Sequence, residues 1–331
     1  MKELLLLLCN YPPDPGNSAV LAEQLTRVPD WNSCTELINN HGIIALAFYN
    51  IREAGLTNTI PSHALSFLEK GYMKSMVRNT WLTERWREVN SVLSGAGIEH
   101  ILLKGMALEH TLYGSRGLRQ MNDNDILVRR EDAIRAWQLL QDKGFTAKPL
   151  KSPLHKKILP DLGKHLPELT RDAYTVEIHT RLFDEAVYDK ILYDKIFADA
   201  VPVNIGDIRA LTLPADVNIR YLIKHFNYHK LEGDCQLRLY TDILLLNAGD
   251  PPEFPESFIM NPQQKADSSH HRKSYRTAFR AVPAKYRLRF VAGDIFPSLW
   301  WMKERYRCGS TGAMLRYPAR LGKVFWCRGP T

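Results

Sequence analysis

A short apolar strand, His100-Ile101-Leu102-Leu103, passes through Lys104-Gly105 into a helical pattern, and about twenty residues later Asp123 and Asp125 sit in the run Asn122-Asp123-Asn124-Asp125-Ile126-Leu127-Val128. No other feature constrains the fold as strongly. A strand sends alternate side chains to one face, so carboxylates two apart point the same way and can share a divalent cation. A glycine after a strand lets backbone approach a phosphate, and the helix that follows offers N–H groups without intrahelical partners. Magnesium takes one or two carboxylates together with phosphate oxygens. A phosphate cradle facing paired acids therefore points to phosphoryl or nucleotidyl transfer, with both acids on a solvent-accessible face.

The surrounding pattern alternates strand and helix. Strands are expected at 100–103 and 123–128, with a helix over 106–113 between them. A further helix from about Asp132 to Lys143 closes at Gly144 and feeds a strand at Phe145. After a connection rich in Pro, Lys and His, Tyr174-Thr175-Val176-Glu177-Ile178-His179 reads as another strand. Period two puts Glu177 and His179 on one face.

On either side of this stretch the chain reads as helical. Asp30-Trp31 opens one helix, Ile43 to Ile51 is largely apolar, and Pro61-Ser62 precedes a long pattern ending near Gly95, in which Leu82, Trp86, Val89 and Leu93 form one stripe. Beyond about residue 210 helix resumes, with Pro214 at a helix start and a further helix at Asp242 to Leu246. Residues 261–274 are expected to be flexible. The expected organisation is a helical region over 1–95, an α/β core over 96–205 and a helical, basic region over 206–331.

Of the 331 residues, 44 are Lys or Arg and 36 Asp or Glu, a formal net charge of +8. Cys9, Cys34, Cys235, Cys308 and Cys327 are scattered and never form a CxxC pair, which argues against a disulfide framework or a zinc cluster. The Leu4–Leu8 run is too short for the apolar stretch of a signal peptide, and no stretch reaches the ~18 apolar residues of a membrane span. A soluble cytoplasmic protein is expected. The positive charge is concentrated from Lys265 onward, among Tyr275, Phe279, Tyr286, Phe290, Trp300, Trp301, Tyr306, Tyr317, Phe325 and Trp326. Such a region could bind a polyanion or rest at an anionic membrane interface. The preferred reading is a helical subdomain with solvated arginines and aromatics in its core.

The stretches Leu103-Lys104-Gly105, Ala107-Leu108, Tyr113, Arg119, Asp123-Asn124-Asp125 with Leu127-Val128, and Val176-Glu177-Ile178-His179 resemble the nucleotidyltransferase superfamily typified by DNA polymerase β. The nearer resemblance is to a bacterial branch labelled only as an uncharacterised nucleotidyltransferase family. Weaker similarity extends to Asp30-Trp31, His41-Gly42, His225-Phe226, His229, Leu237-Arg238 and Asp242. Two departures stand out. Lys104-Gly105 replaces the usual Gly-Gly or Gly-Ser, and Asn124 replaces an apolar residue between the acids.

The resemblance implies an α+β fold, a small mixed sheet with flanking helices between helical terminal regions. It implies that Asp123 and Asp125 hold magnesium, or manganese in its place. It also implies that Glu177 is a third carboxylate, either a ligand of a second metal or the base for the acceptor hydroxyl. Lys104, Gly105 and Arg119 are candidates for the triphosphate, with Arg116 competing with Arg119. His179 reads as a packing residue, and His225 with His229 as a helix pair for which Asp242 is a candidate partner.

The leading expectation is a magnesium-dependent enzyme moving NMP from an NTP such as ATP to an unknown acceptor: a small molecule, sugar, peptide or protein. A catalytically weak module of the same fold that binds an anionic partner is the alternative. A nucleic-acid-modifying enzyme is not favoured, because no nucleic-acid-binding motif is present. The acceptor and the oligomeric state are not readable.

Overall fold

Pro61 and Ser62 begin a helix that runs from Ser62 to Gly95. Its stripe of Leu82, Trp86, Val89 and Leu93 is buried throughout, so a single face carries the packing over several turns. The computed structural model describes residues 1–183, 188–246, 252–265 and 268–318. Among the described residues, helices on either side of seven strands make the fold α+β.

The strands are β1 (His100–Leu103), β2 (Asn124–Val128), β3 (Thr146–Ala147), β4 (Leu169–Arg171), β5 (Tyr174–His179), β6 (Val201–Ile205) and β7 (Ile208–Thr212). They form one mixed sheet in the order β3-β4-β5-β2-β1-β7-β6. β1 runs parallel to β7 with Leu102 opposite Thr212, whereas β3/β4, β4/β5 and β6/β7 are antiparallel. All residues of β1 and β2 are buried, as expected for central strands.

The sheet is wider than the sequence reading anticipated. β4 and the β6–β7 hairpin were not expected, and the chain is still strand at 208–212 before Pro214 leads into the helix Ala215–Leu231. The signal for the second hairpin is present: apolar positions alternate on both sides of Gly206-Asp207, and Gly206 adopts φ +61°, as a two-residue hairpin turn requires. Pro202 falls in β6, an edge strand, where a missing N–H is tolerated. The tail also differs from expectation. A helix spans Ser268–Ala281, so half of the segment expected to be flexible is regular; residues 266–267 lie outside the described residues, as do Phe325 and Trp326.

The chain divides into two compact units. The first comprises Met1–Asn90, Ile101–Asp125 and Ile196–Ala266, and the second Ser91–His100, Ile126–Lys195 and Asp267–Thr331. The first unit holds a large apolar core that includes Leu4, Leu5, Leu8 and Cys9, so the N-terminal leucine run is packing material. Burial pushes the Cys9 thiol up to about 12. In the second unit Ile158, Val282 and Phe290 form a small cluster against which Phe279 and Tyr286 pack. Some tail aromatics thus serve as core, as the preferred reading required. Among the described residues no helix is long and apolar enough to cross a membrane.

Trp86 is 0% exposed and Val77, on the same helix, is 71% exposed. Trp86→Ala is therefore expected to cost about 3–5 kcal/mol in denaturant unfolding. Val77→Ala should stay within about 0.5 kcal/mol of the parent protein.

Candidate functional site

β1 ends at Leu103, and Lys104 turns the chain into the helix Lys104–Thr111 with φ +46°, a left-handed conformation uncommon for a residue with a side chain. The helix begins two residues earlier than the sequence pattern indicated. The turn sends the Lys104 Nζ to Asp125 Oδ1 at 2.8 Å, with both side chains largely buried. Gly105 is not the strained residue. Its role is steric, because a Cβ there would meet the Met121 side chain at 3.2–3.3 Å.

The segment that delivers the acids to β2 is irregular and mostly buried, so its backbone polar groups need partners from elsewhere. The buried Glu109 carboxylate accepts the N–H groups of Gly117 and, at 3.0 Å, Arg119. Burial raises the Glu109 pKa, and those hydrogen bonds oppose the rise. Asn79 donates to the Arg119 carbonyl at 3.0 Å, Arg78 to that of Asn122 at 2.7 Å, and Arg119 and Arg238 both donate to that of Gln120, at 2.7 and 2.8 Å.

Arg119 is held in turn by Asp242, which is 0% exposed: Nε lies 3.2 Å from both carboxylate oxygens and Nη2 lies 2.6 Å from Oδ2. The Tyr113 hydroxyl donates to Asp242 Oδ1 at 2.9 Å. Burial opposes the charge on Arg119, but the Asp242 carboxylate outweighs it and the guanidinium is held above its ordinary pKa. Burial, followed by the same carboxylate, drives the Tyr113 phenol well above its usual range.

The weaker sequence matches occupy the same unit. Asp30 caps the helix Trp31–Asn40, accepting the N–H groups of Asn32 and Ser33. His41 is buried, with Nε2 2.8 Å from the Ile259 carbonyl and Nδ1 3.3 Å from the Leu237 N–H. The His41 carbonyl accepts the Arg238 N–H at 3.1 Å. Ring and carbonyl together satisfy the first N–H groups of the helix Leu237–Leu245, which begins five residues before its expected start. The expected pairing of Asp242 with the histidines is not found. Asp242 serves Arg119 and Tyr113, while His229 Nδ1 faces Asp234 Oδ2 at 3.6 Å. Arg116 is exposed and donates to the Tyr49 hydroxyl.

The acids do not share one setting. Asp123 is half-buried in the bend before β2, whereas Asp125 lies within the strand and is 4% exposed, where an open face was expected. The sheet order places β5 beside β2. Glu177 and His179 both lie on β5, in the second unit. Glu177 Oε2 and His179 Nε2 are 3.4 Å apart. His179 was expected only to pack; its i, i+2 relation to Glu177 was the available signal. A carboxylate beside an imidazole suits a divalent first-row ion.

A family model described as an uncharacterised nucleotidyltransferase matches residues 28–260, and the chain belongs to that family. No curated protein and no solved structure matches the chain. The matched span contains every residue of the arrangement described above.

Removing Asp242 leaves a buried guanidinium without its counter-charge. Asp242→Ala is expected to cost about 3–5 kcal/mol in urea unfolding, and the paired replacement Arg119→Met with Asp242→Leu should recover most of that loss. Tyr113→Phe, which removes one hydrogen bond to a charged acceptor, should cost about 1.5–3 kcal/mol in the same assay.

Proposed function

We propose that this protein transfers an NMP group from an NTP to an acceptor. What supports the reading above all is the turn that brings Lys104 onto Asp125, the second acid of the paired-acid motif, in a chain of a nucleotidyltransferase family. The acceptor oxygen attacks the α-phosphorus, the bond from that phosphorus to the bridging oxygen breaks, and pyrophosphate leaves with the electron pair. Asp123 and Asp125 are the residues that would hold the magnesium at the nucleotide phosphates. Bound there, such an ion would supply positive charge to the phosphate oxygens.

Glu177 accepts the proton of the acceptor hydroxyl. His179, beside Glu177, keeps that carboxylate oriented. Lys104 stands on the phosphate side as a compact point charge whose ammonium exchanges between Asp125 and a phosphate oxygen, while Gly105 keeps the start of its helix close to Met121. Arg119 contributes positive charge to Asp123 through space without leaving Asp242. Most of the rate enhancement then comes from positioning and charge, since the chain needs to supply no covalent intermediate. Acceptor choice lies with the helical regions outside the sheet.

Incubation with each radiolabelled NTP, magnesium and a cell extract, followed by identification of the labelled product, tests the proposal. Nucleotide binding without transfer to any acceptor would leave only a binding module for an anionic partner. Asp123→Asn and Asp125→Asn should each reduce transfer by about two to three orders of magnitude. A circular-dichroism spectrum like that of the parent would show that the fold is retained. Glu177→Gln should keep NTP affinity, measured by equilibrium dialysis, while turnover falls, because a proton acceptor acts mainly in the transition state.

A further inference from the structure

Two guanidinium groups converge on one carbonyl. Arg119 Nη1 and Arg238 Nη1 both donate to the Gln120 oxygen, three residues before Asp123. Their charges are treated differently. Arg119 has the Asp242 carboxylate in a forked contact. Arg238 is hydrogen-bonded to neutral oxygens, the Gln120 carbonyl and Gln236 Oε1 at 3.0 Å, and its buried Nε has no hydrogen-bond partner among the described residues.

The surroundings of Arg238 are unfavourable to a cation. Lost hydration, followed by repulsion from Arg119, brings its pKa down to about 10, while Asp242, Asp123 and Asp234 act in the opposite sense through space. Arg238 is nonetheless held firmly. Its N–H bonds the His41 carbonyl, and its stem crosses Gly42, whose φ is +70° and where a Cβ would meet Arg238 Cδ and Nε at 3.2 Å. A long side chain is thus fixed beside a second cation and near Asp123, with no carboxylate in hydrogen-bond contact. A cation kept in such a position is matched to an anion that arrives with the substrate.

Building on the nucleotidyltransferase reading, we infer that Arg238 binds the terminal phosphates of the NTP, supplying to the triphosphate the counter-charge contact that Arg119 gives to Asp242. The ligand class is a polyphosphate chain, because one guanidinium fork matches two non-bridging phosphate oxygens and a single phosphate next to the ribose would not need a second arginine. Arg238 is a binding residue in this assignment, placed by His41 and Gly42.

The test is a magnesium-containing titration of the parent protein, Arg238→Gln and Arg238→Lys with the four ribonucleoside triphosphates, the corresponding monophosphates and inorganic tripolyphosphate, alongside thermal unfolding of each protein without ligand. Arg238→Gln is expected to weaken triphosphate and tripolyphosphate binding by about tenfold to a hundredfold. It should leave monophosphate binding unchanged and the unliganded melting temperature no lower than that of the parent. Arg238→Lys should recover only part of the affinity, since a point charge replaces the fork; this variant carries the test if Arg238→Gln does not fold. Equal losses for tri- and monophosphates, or a lowered melting temperature with unchanged triphosphate affinity, would make Arg238 a prop for the loop and overturn the inference alone. A parent protein that binds none of the triphosphates overturns the nucleotidyltransferase reading and this inference with it.

Discussion

The central constraint in the first unit is that an irregular, largely buried segment, from Gly117 to Asn122, must have its peptide groups satisfied. A helix or a strand does this internally; a loop does not. Glu109, Asn79, Arg78, Arg119 and Arg238 supply the missing partners one carbonyl or N–H at a time. Several of those side chains are themselves ionised, and burying them creates the next requirement. Asp242 answers the charge of Arg119, and Tyr113 completes the coordination of Asp242. The acids that follow the loop are therefore delivered to β2 by a hydrogen-bonded network whose members cannot be exchanged singly.

This dependence explains why residues spread from His41 to Asp242 belong with a motif at 103–125. Asp242, Tyr113, Glu109, His41 and Gly42 have no need to touch a substrate. They set the position of groups that can, through an ion pair, a buried carboxylate, a neutral imidazole at a helix start and a glycine that leaves room for an arginine stem. The pKa of His41 is lowered by burial, which keeps the ring neutral and leaves Nδ1 free to accept the Leu237 N–H. The division of labour is physical: polar groups with complete partners stabilise one backbone path, and the side chains carried on that path provide the chemistry.

The basic tail obeys a different logic. Phe290 and Val282 are buried with Ile158, and the rings of Tyr275 and Phe279 meet Phe290 at tilted angles. Leu288, between Arg287 and Arg289, is 82% exposed. Charge and apolar surface thus coexist in a region whose packing uses only part of its aromatic content.

Much of this protein could be read from its residues. Helix boundaries at Asp30, Pro61 and Pro214 were legible because capping and proline geometry are local. The strand at 174–179 and the strand carrying Asp125 were legible because alternation over a few residues is a local property. So was the family, from the order of Lys-Gly, Arg, DxD and a later Glu. The β6–β7 hairpin was equally local, and the Gly206-Asp207 turn between alternating apolar positions was its readable sign. Tertiary structure alone decided that Arg119 faces Asp242, that Tyr113 completes that pair, and that Arg238 shares a carbonyl with Arg119. Those relations join positions up to 129 residues apart. The chain carries no short-range periodicity that records which buried charge will meet which. Only the folded path through the sheet and helices brings them within hydrogen-bonding distance, where desolvation makes the choice of partner energetically decisive.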